Sequence, residues 1–234
     1  MRGETVCCAG VTEKLQWRRL YPVHFRRLRG DRRFSRWQWI EYDWRLPSDD
    51  KRPESRRIQE DSLVLGNVLS SGRRAGFLAP VIRASTDEAK SKGETLTLIR
   101  PISPRFSWRT KTSAQIEDER TAYDAAARQK SFFDAELRAL APCPYEFNFN
   151  YKTTDGKSHT ATCDDWETAA MFYNLENQFN SADRALQRMN QVFNVEYPRD
   201  GFVFALGTHS RRPDQWLLVG VIRLDETPQM ALAL

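Results

Sequence analysis

Three features of the sequence predict an α+β fold. Residues 146–152 alternate apolar and polar side chains and run into Asp155-Gly156, a two-residue hairpin signal. Residues 113–140 place Ile116, Tyr123, Ala127, Phe133, Leu137 and Leu140 at helical spacing, behind a Thr112–Gln115 capping box and ahead of Pro142 and Pro144. Residues 1–110 carry short strand-like runs separated by polar turns. The expected architecture is a basic, β-rich N-terminal half (1–110), then a long linking helix opening a mixed α/β C-terminal half (111–234) with antiparallel hairpins.

In chain order, residues 5–9 and 15–23 read as two strands. Residues 37–45 read as one strand with Trp37, Trp39, Glu41 and Asp43 on one side, followed by a polar loop over 48–55. Residues 56–69 read as a helix ending near Gly72. Residues 77–83 and 95–100 are strand-like, the polar stretch 85–93 separates them, and Pro101 and Pro104 punctuate the exit. With Asp155-Gly156 as the loop of the hairpin, Lys152 opposes His159, Asn150 opposes Ala161 and Asn148 opposes Cys163. Asn148, Asn150, Lys152, His159 and Cys163 then share one face, and Phe147, Phe149 and Tyr151 take the buried one. Helices are expected from Asp164 to about 177 and from Ser181 to about 195. Residues 201–206 and 215–222, apolar on both faces, read as central strands joined by an exposed polar loop over 208–214.

The 234 residues are 40% hydrophobic and 12% aromatic, which excludes a disordered chain. The apolar run at 216–222 is far short of the roughly 20 residues of a membrane span. The opening residues lack an apolar stretch of signal-peptide length, so a cytoplasmic location without membrane partners is expected. Cys7 and Cys8 are adjacent, Cys143 and Cys163 are distant singles, and no Cys-x-x-Cys occurs, so free thiols are expected.

Charge is uneven. The net charge is +5, yet residues 14–36 hold nine basic residues against Asp31 alone, leaving the remainder of the chain net negative. All but Lys14 are arginines, whose planar forks match phosphate oxygens, and aromatic residues interleave them. This pattern predicts a nucleic-acid interface, DNA or RNA, with Arg18, Arg19, Arg26, Arg27, Arg29, Arg32, Arg33 and Arg36 on phosphates and Trp37 or a neighbouring ring on bases. The same cations also suit a solvated face, or a module that meets an acidic protein partner.

A second reading is a metal-dependent nuclease or other nucleic-acid hydrolase using His159, Asp165 and Glu167, a histidine near carboxylates suited to general-base or divalent-metal chemistry. Against it stands a helix cap, with Asp164 as N-cap and Glu167 three residues on. A zinc set of Cys143, His159, Cys163 and His209 is unfavourable, since His159 and Cys163 lie about 13 Å apart along one strand. No phosphate-binding glycine loop, nucleophile elbow or His-Glu-x-x-His motif occurs, and the sequence names no cofactor.

Several stretches carry a family resemblance: Val6-Cys-Cys-Ala-Gly-Val, Trp17-Arg-Arg-Leu-Tyr-Pro-Val-His-Phe, Trp37-Gln-Trp-Ile-Glu, Arg52-Pro-Glu-Ser, the segment from His159 to Asp165-Trp-Glu167, and Asp200-Gly-Phe-Val-Phe-Ala-Leu-Gly-Thr-His. In these the chain resembles an uncharacterised family of small prokaryotic proteins. The resemblance implies that His159, Asp165, Trp166, Glu167, Gly207 and Trp216 occupy family positions. It also implies a setting in defence against, or maintenance of, mobile DNA. Some relatives carry a Cys-rich knuckle before the histidine, where Thr153-Thr-Asp-Gly stands here.

Overall fold

A computed structural model describes residues 6–25, 28, 30–128, 142–209 and 212–226. Its elements in chain order are β1 (Val6–Val11), β2 (Trp17–Val23), β3 (Gln38–Glu41), β4 (Trp44–Arg45), β5 (Ser55–Ile58), β6 (Val64–Val68), α1 (Ser71–Leu78), β7 (Ile82–Arg83), α2 (Thr86–Ser91), β8 (Leu96–Ile99), β9 (Ile102–Thr110), α3 (Ser113–Arg128), β10 (Tyr145–Lys152), β11 (Ser158–Thr162), α4 (Trp166–Phe179), α5 (Ala182–Gln191), α6 (Tyr197–Asp200), β12 (Phe202–His209) and β13 (Arg212–Arg223). The fold is α+β with a strand-rich N-terminal half. Among the described residues no helix is long and apolar enough to cross a membrane.

Two compact units emerge. Residues 1–70 group with 111–144, and residues 71–110 group with 145–234.

In the first unit a four-stranded sheet runs β1-β2-β5-β4, with β2 and β5 parallel and the other pairs antiparallel. A separate ribbon pairs β3 with β6. Leu20, Val23, Ile58 and Leu63 form the core, and Cys8, Phe25, Leu28, Phe34, Ile40 and Tyr42 pack against it. The expected β1–β2 pair is present. The single strand expected over 37–45 is instead β3 and β4, broken at Tyr42-Asp43 because the two halves join different sheets. The helix expected over 56–69 does not form. Parallel pairing with β2 draws residues 55–58 into a strand, and the β-branched Val64 and Val68 pair with β3. Gly66 suits that ribbon, since a Cβ there would sit 3.1 Å from the Cβ of Trp39. Gly72, expected to end a helix, lies within the first turn of α1. The capping box of α3 is formed as expected: the Gln115 amide N–H donates to Thr112 Oγ1 at 3.2 Å, and Gln115 Oε1 accepts from the Thr112 amide at 3.0 Å. The rest of the predicted helix, 129–140, lies outside the described residues.

In the second unit the sheets run β11-β10-β9 and β13-β12-β8-β7. Residues 77–83, expected as a strand, close α1 and make a short turn at Pro80, leaving only β7 extended. The polar stretch 85–93 contains α2, whose start is fixed by Ser85 Oγ accepting from the Glu88 amide. Pro101 and Pro104 do not end the strand region. Pro104 is carried within β9 beside a register shift, where the missing N–H is tolerated. α4 and α5 match their expected spans closely, α5 being capped by Ser181. β12 is buried almost throughout, as expected of a central strand, whereas β13 is the sheet edge and half exposed. The core is aromatic: Phe149 lies 5.2 Å from Phe106, 5.5 Å from Phe193 and 5.0 Å from Phe204 between ring centres.

The β10–β11 hairpin is one residue out of the expected register. The Thr153 amide donates to Lys157 O at 3.0 Å and the Gly156 amide to Thr153 O at 2.9 Å, so the loop has three residues and Gly156 takes φ 81°. Tyr151 therefore opposes His159, and Asn150 opposes Thr160. A one-residue slip turns every side chain of a strand over. His159 and Cys163 move from the polar face to the aromatic one, and Ser158, Thr160 and Thr162 replace them.

Candidate nucleic-acid interface

The arginines of residues 14–36 meet different fates. Arg19, on β2, is buried and ion-paired to Glu54 at 3.0 Å, while its amide donates to Glu54 O at 2.9 Å. Arg32 pairs with Asp61 at 2.9 Å. Arg33 is exposed, with its guanidinium 5.7 Å from the Phe25 ring centre. Arg36 is also exposed. Trp37 is half-buried, has φ 69° and accepts the Leu69 amide on its carbonyl at 2.7 Å. Arg26, Arg27 and Arg29 lie outside the described residues.

Arg18 stands differently. Its guanidinium donates to Trp17 O at 2.8 Å and to Gln16 Oε1 at 2.7 Å, and among the described residues it forms no ion pair. The parallel β2–β5 pairing sets Leu20 opposite Arg56, which puts Arg18 and Arg56 on one side of the sheet. Burial and the nearby Arg18 charge both push the Arg56 guanidinium below its ordinary range. Arg56 also lies 4.3 Å from the ring centre of Trp44, which is 47% exposed. Tyr42 stands beside both cations: burial raises its phenol, and Arg18 and Arg56 partly oppose that rise. The result is two guanidiniums without carboxylate partners among the described residues, and an accessible indole. Arg56 and Trp44 were outside the set expected to bind. Reading 55–58 as a strand beside 17–23 would have revealed them.

The Arg52-Pro-Glu-Ser stretch has a structural task. Arg52 and Ser55 both hold Asp50, at 2.6 and 2.7 Å, and Glu54 holds Arg19. Burial acts upward on Asp50, but the hydrogen bonds from Arg52 and Ser55 win and bring its carboxyl to about 2.

In the second unit His159, Asp165 and Glu167 are engaged separately. The His159 ring stacks on Tyr151 at 5.2 Å, and its Nε2 lies 2.9 Å from Thr153 Oγ1. The Thr153 hydroxyl gives its one proton to Asp155, so His159 Nε2 donates to it. Asp165, not Asp164, caps α4, and Glu167 is its second residue. Asp165 Oδ1 accepts the Glu167 amide at 3.0 Å, and Oδ2 accepts the Val221 amide of β13 at 3.2 Å. Glu167 is exposed. Burial pushes the Cys163 thiol up to about 12, which suppresses thiolate chemistry. Among the described residues no group of three or more His, Cys, Asp or Glu could hold a metal ion.

Asp165→Ala is expected to cost about 2–3 kcal/mol, because a helix cap and the buried hydrogen bond from the Val221 amide to Oδ2 are both lost. Asp165→Asn, which retains a capping oxygen, costs less. Thermal unfolding of both variants checks this; equal stability of Asp165→Ala and the parent would contradict the capping role.

Residues 1–77 match a family described as Domain of unknown function (DUF8758), and residues 81–233 match one described as Domain of unknown function (DUF8757). The second match covers more than half of the chain. The chain belongs to the DUF8757 family. This agrees with the resemblance to a family without an assigned function. No curated protein and no solved structure matches the chain. The DUF8757 match contains the whole of β8 to β13, while the Arg18–Arg56 cluster falls within the DUF8758 match.

Proposed function

We propose that the chain binds nucleic acid through the Arg18–Arg56–Trp44 surface of its N-terminal unit, with Arg33 and Arg36 as further exposed cations of the same unit. The carrying observation is the juxtaposition of Arg18 and Arg56 beside an exposed ring, with no carboxylate paired to either among the described residues. Two such guanidiniums repel one another until an anion lies between them, and a phosphate backbone supplies anions at regular spacing. The indole offers a face on which an unstacked base can lie. Arg19 and Arg32 are omitted from the surface because Glu54 and Asp61 already neutralise them.

The test is fluorescence anisotropy of a labelled single-stranded oligonucleotide against salt concentration. Binding should weaken steeply with salt. In the double variant Arg18→Gln/Arg56→Gln, affinity should fall at least about tenfold, and the slope of log affinity against log salt should shrink by about 1.5. The thermal midpoint should stay close to that of the parent. A flat salt dependence, or a double variant that binds like the parent, overturns the proposal.

A further inference from the structure

We infer that a cleft of the N-terminal unit binds a phosphomonoester group between Arg45, Arg57 and His24. These residues differ from those of the nucleic-acid surface, so the inference stands or falls without that reading. The cleft has a volume of about 450 Å³, and its lining includes Pro22, His24, Arg45, Arg57, Gln59 and Glu60.

Three observations point to an anion. First, the β4–β5 register sets Arg45 directly opposite Arg57, and like charges so placed destabilise a sheet unless something neutralises them. Arg45 has no ion pair among the described residues, and Arg57 reaches only the exposed Asp49, at 3.5 Å. Second, among the described residues neither carboxylate of the cleft pairs with Arg45 or Arg57. Glu60 accepts the His24 amide on Oε1 and lies against His24 Nδ1 at 3.0 Å on Oε2, while Asp61 is fully exposed and pairs with Arg32. Third, among the described residues Arg57 Nε and His24 Nε2 are buried without a hydrogen-bond partner. Buried polar atoms are rarely left so, because the loss of hydration is not repaid.

The histidine selects the kind of anion. Glu60 lies on Nδ1, so Nε2 is the ring nitrogen left for a ligand, in donor or acceptor form. A phosphomonoester takes up or gives up one proton near neutrality and complements either form. Sulfate and phosphodiesters have no such proton to share.

The experiment titrates the full chain with inorganic phosphate, followed by calorimetry and ³¹P NMR, against sulfate at equal ionic strength. Saturable phosphate binding at least about tenfold tighter than sulfate is expected. Arg45→Gln should weaken phosphate binding at least about tenfold. Because Arg45 is exposed and faces the like charge of Arg57, this variant should not lower the thermal midpoint in phosphate-free buffer, and its salt slope on a 5′-hydroxyl oligonucleotide should be unchanged. Competition by a 5′-phosphorylated trinucleotide over its 5′-hydroxyl twin would assign the group to a nucleic-acid end, and competition by a mononucleotide alone to a free nucleotide; either supports the site. Phosphate and sulfate binding alike, or phosphate binding that survives Arg45→Gln, overturns it.

Discussion

Arg19→Ala should destabilise the N-terminal unit by about 3–5 kcal/mol, because it removes the buried guanidinium that is ion-paired to the buried Glu54 carboxylate. For a unit of this size that lowers the thermal midpoint by at least about 10 °C. The double variant Arg19→Met/Glu54→Leu should recover most of the loss, since a buried ion pair and an apolar pair of similar volume are often nearly equivalent. Oligonucleotide affinity of the folded protein should be unchanged in both, in contrast to Arg18→Gln/Arg56→Gln. The two neighbours on β2 thus provide an internal control, because the proposal assigns Arg18 to a ligand and Arg19 to the fold. If Arg19→Ala lost binding and kept its stability, the assignment of roles would be reversed.

Phe149→Ala should cost the C-terminal unit about 3–5 kcal/mol. Phe149 is fully buried and touches rings from three other elements: Phe106 on β9, Phe204 on β12 and Phe193 just beyond α5. No single neighbour can collapse into the space its ring leaves, so transfer and cavity terms add. Chemical denaturation read by tryptophan fluorescence measures the loss. A change below about 1 kcal/mol would show that β10 does not bridge the two sheets as described.

Much of the fold was legible because it depended on neighbours along the chain. The α3 cap needs only Thr112 and Gln115, and the spans of α4 and α5 follow from local capping and apolar spacing. The strands β1, β2, β8, β10 and β12 announced themselves by β-rich runs. Three errors had one cause, pairing with a remote strand. Residues 56–69 have helical spacing, yet β2 and β3 claim them as strands. Residues 37–45 read as continuous, yet two different sheets divide them. Residues 102–110 were hidden by two prolines, yet β10 pairs along them and absorbs Pro104 at a register shift.

The candidate sites show the same division. That arginine dominates residues 14–36 is a fact of composition. Which arginines remain available is not, because Glu54 and Asp61, the partners that neutralise Arg19 and Arg32, come from a later part of the chain. The hairpin makes the point on the smallest scale. Asp155-Gly156 marked the turn correctly, but a loop of three residues instead of two carried His159 and Cys163 to the aromatic face. Asp165 was recognised as a residue of note, and only β13 showed why, by offering the Val221 amide to its second oxygen.

From its residues alone the chain was bound to be a mixed α+β protein with a cation-rich, aromatic start, since local spacing and charge count need no partner to be read. The tertiary structure decided which charges are cancelled within the protein, as Arg19 and Arg32 are, and which among the described residues are not. Neutralisation and burial depend on groups that only folding brings within a few ångströms, and electrostatic and packing energies fall away steeply beyond that range.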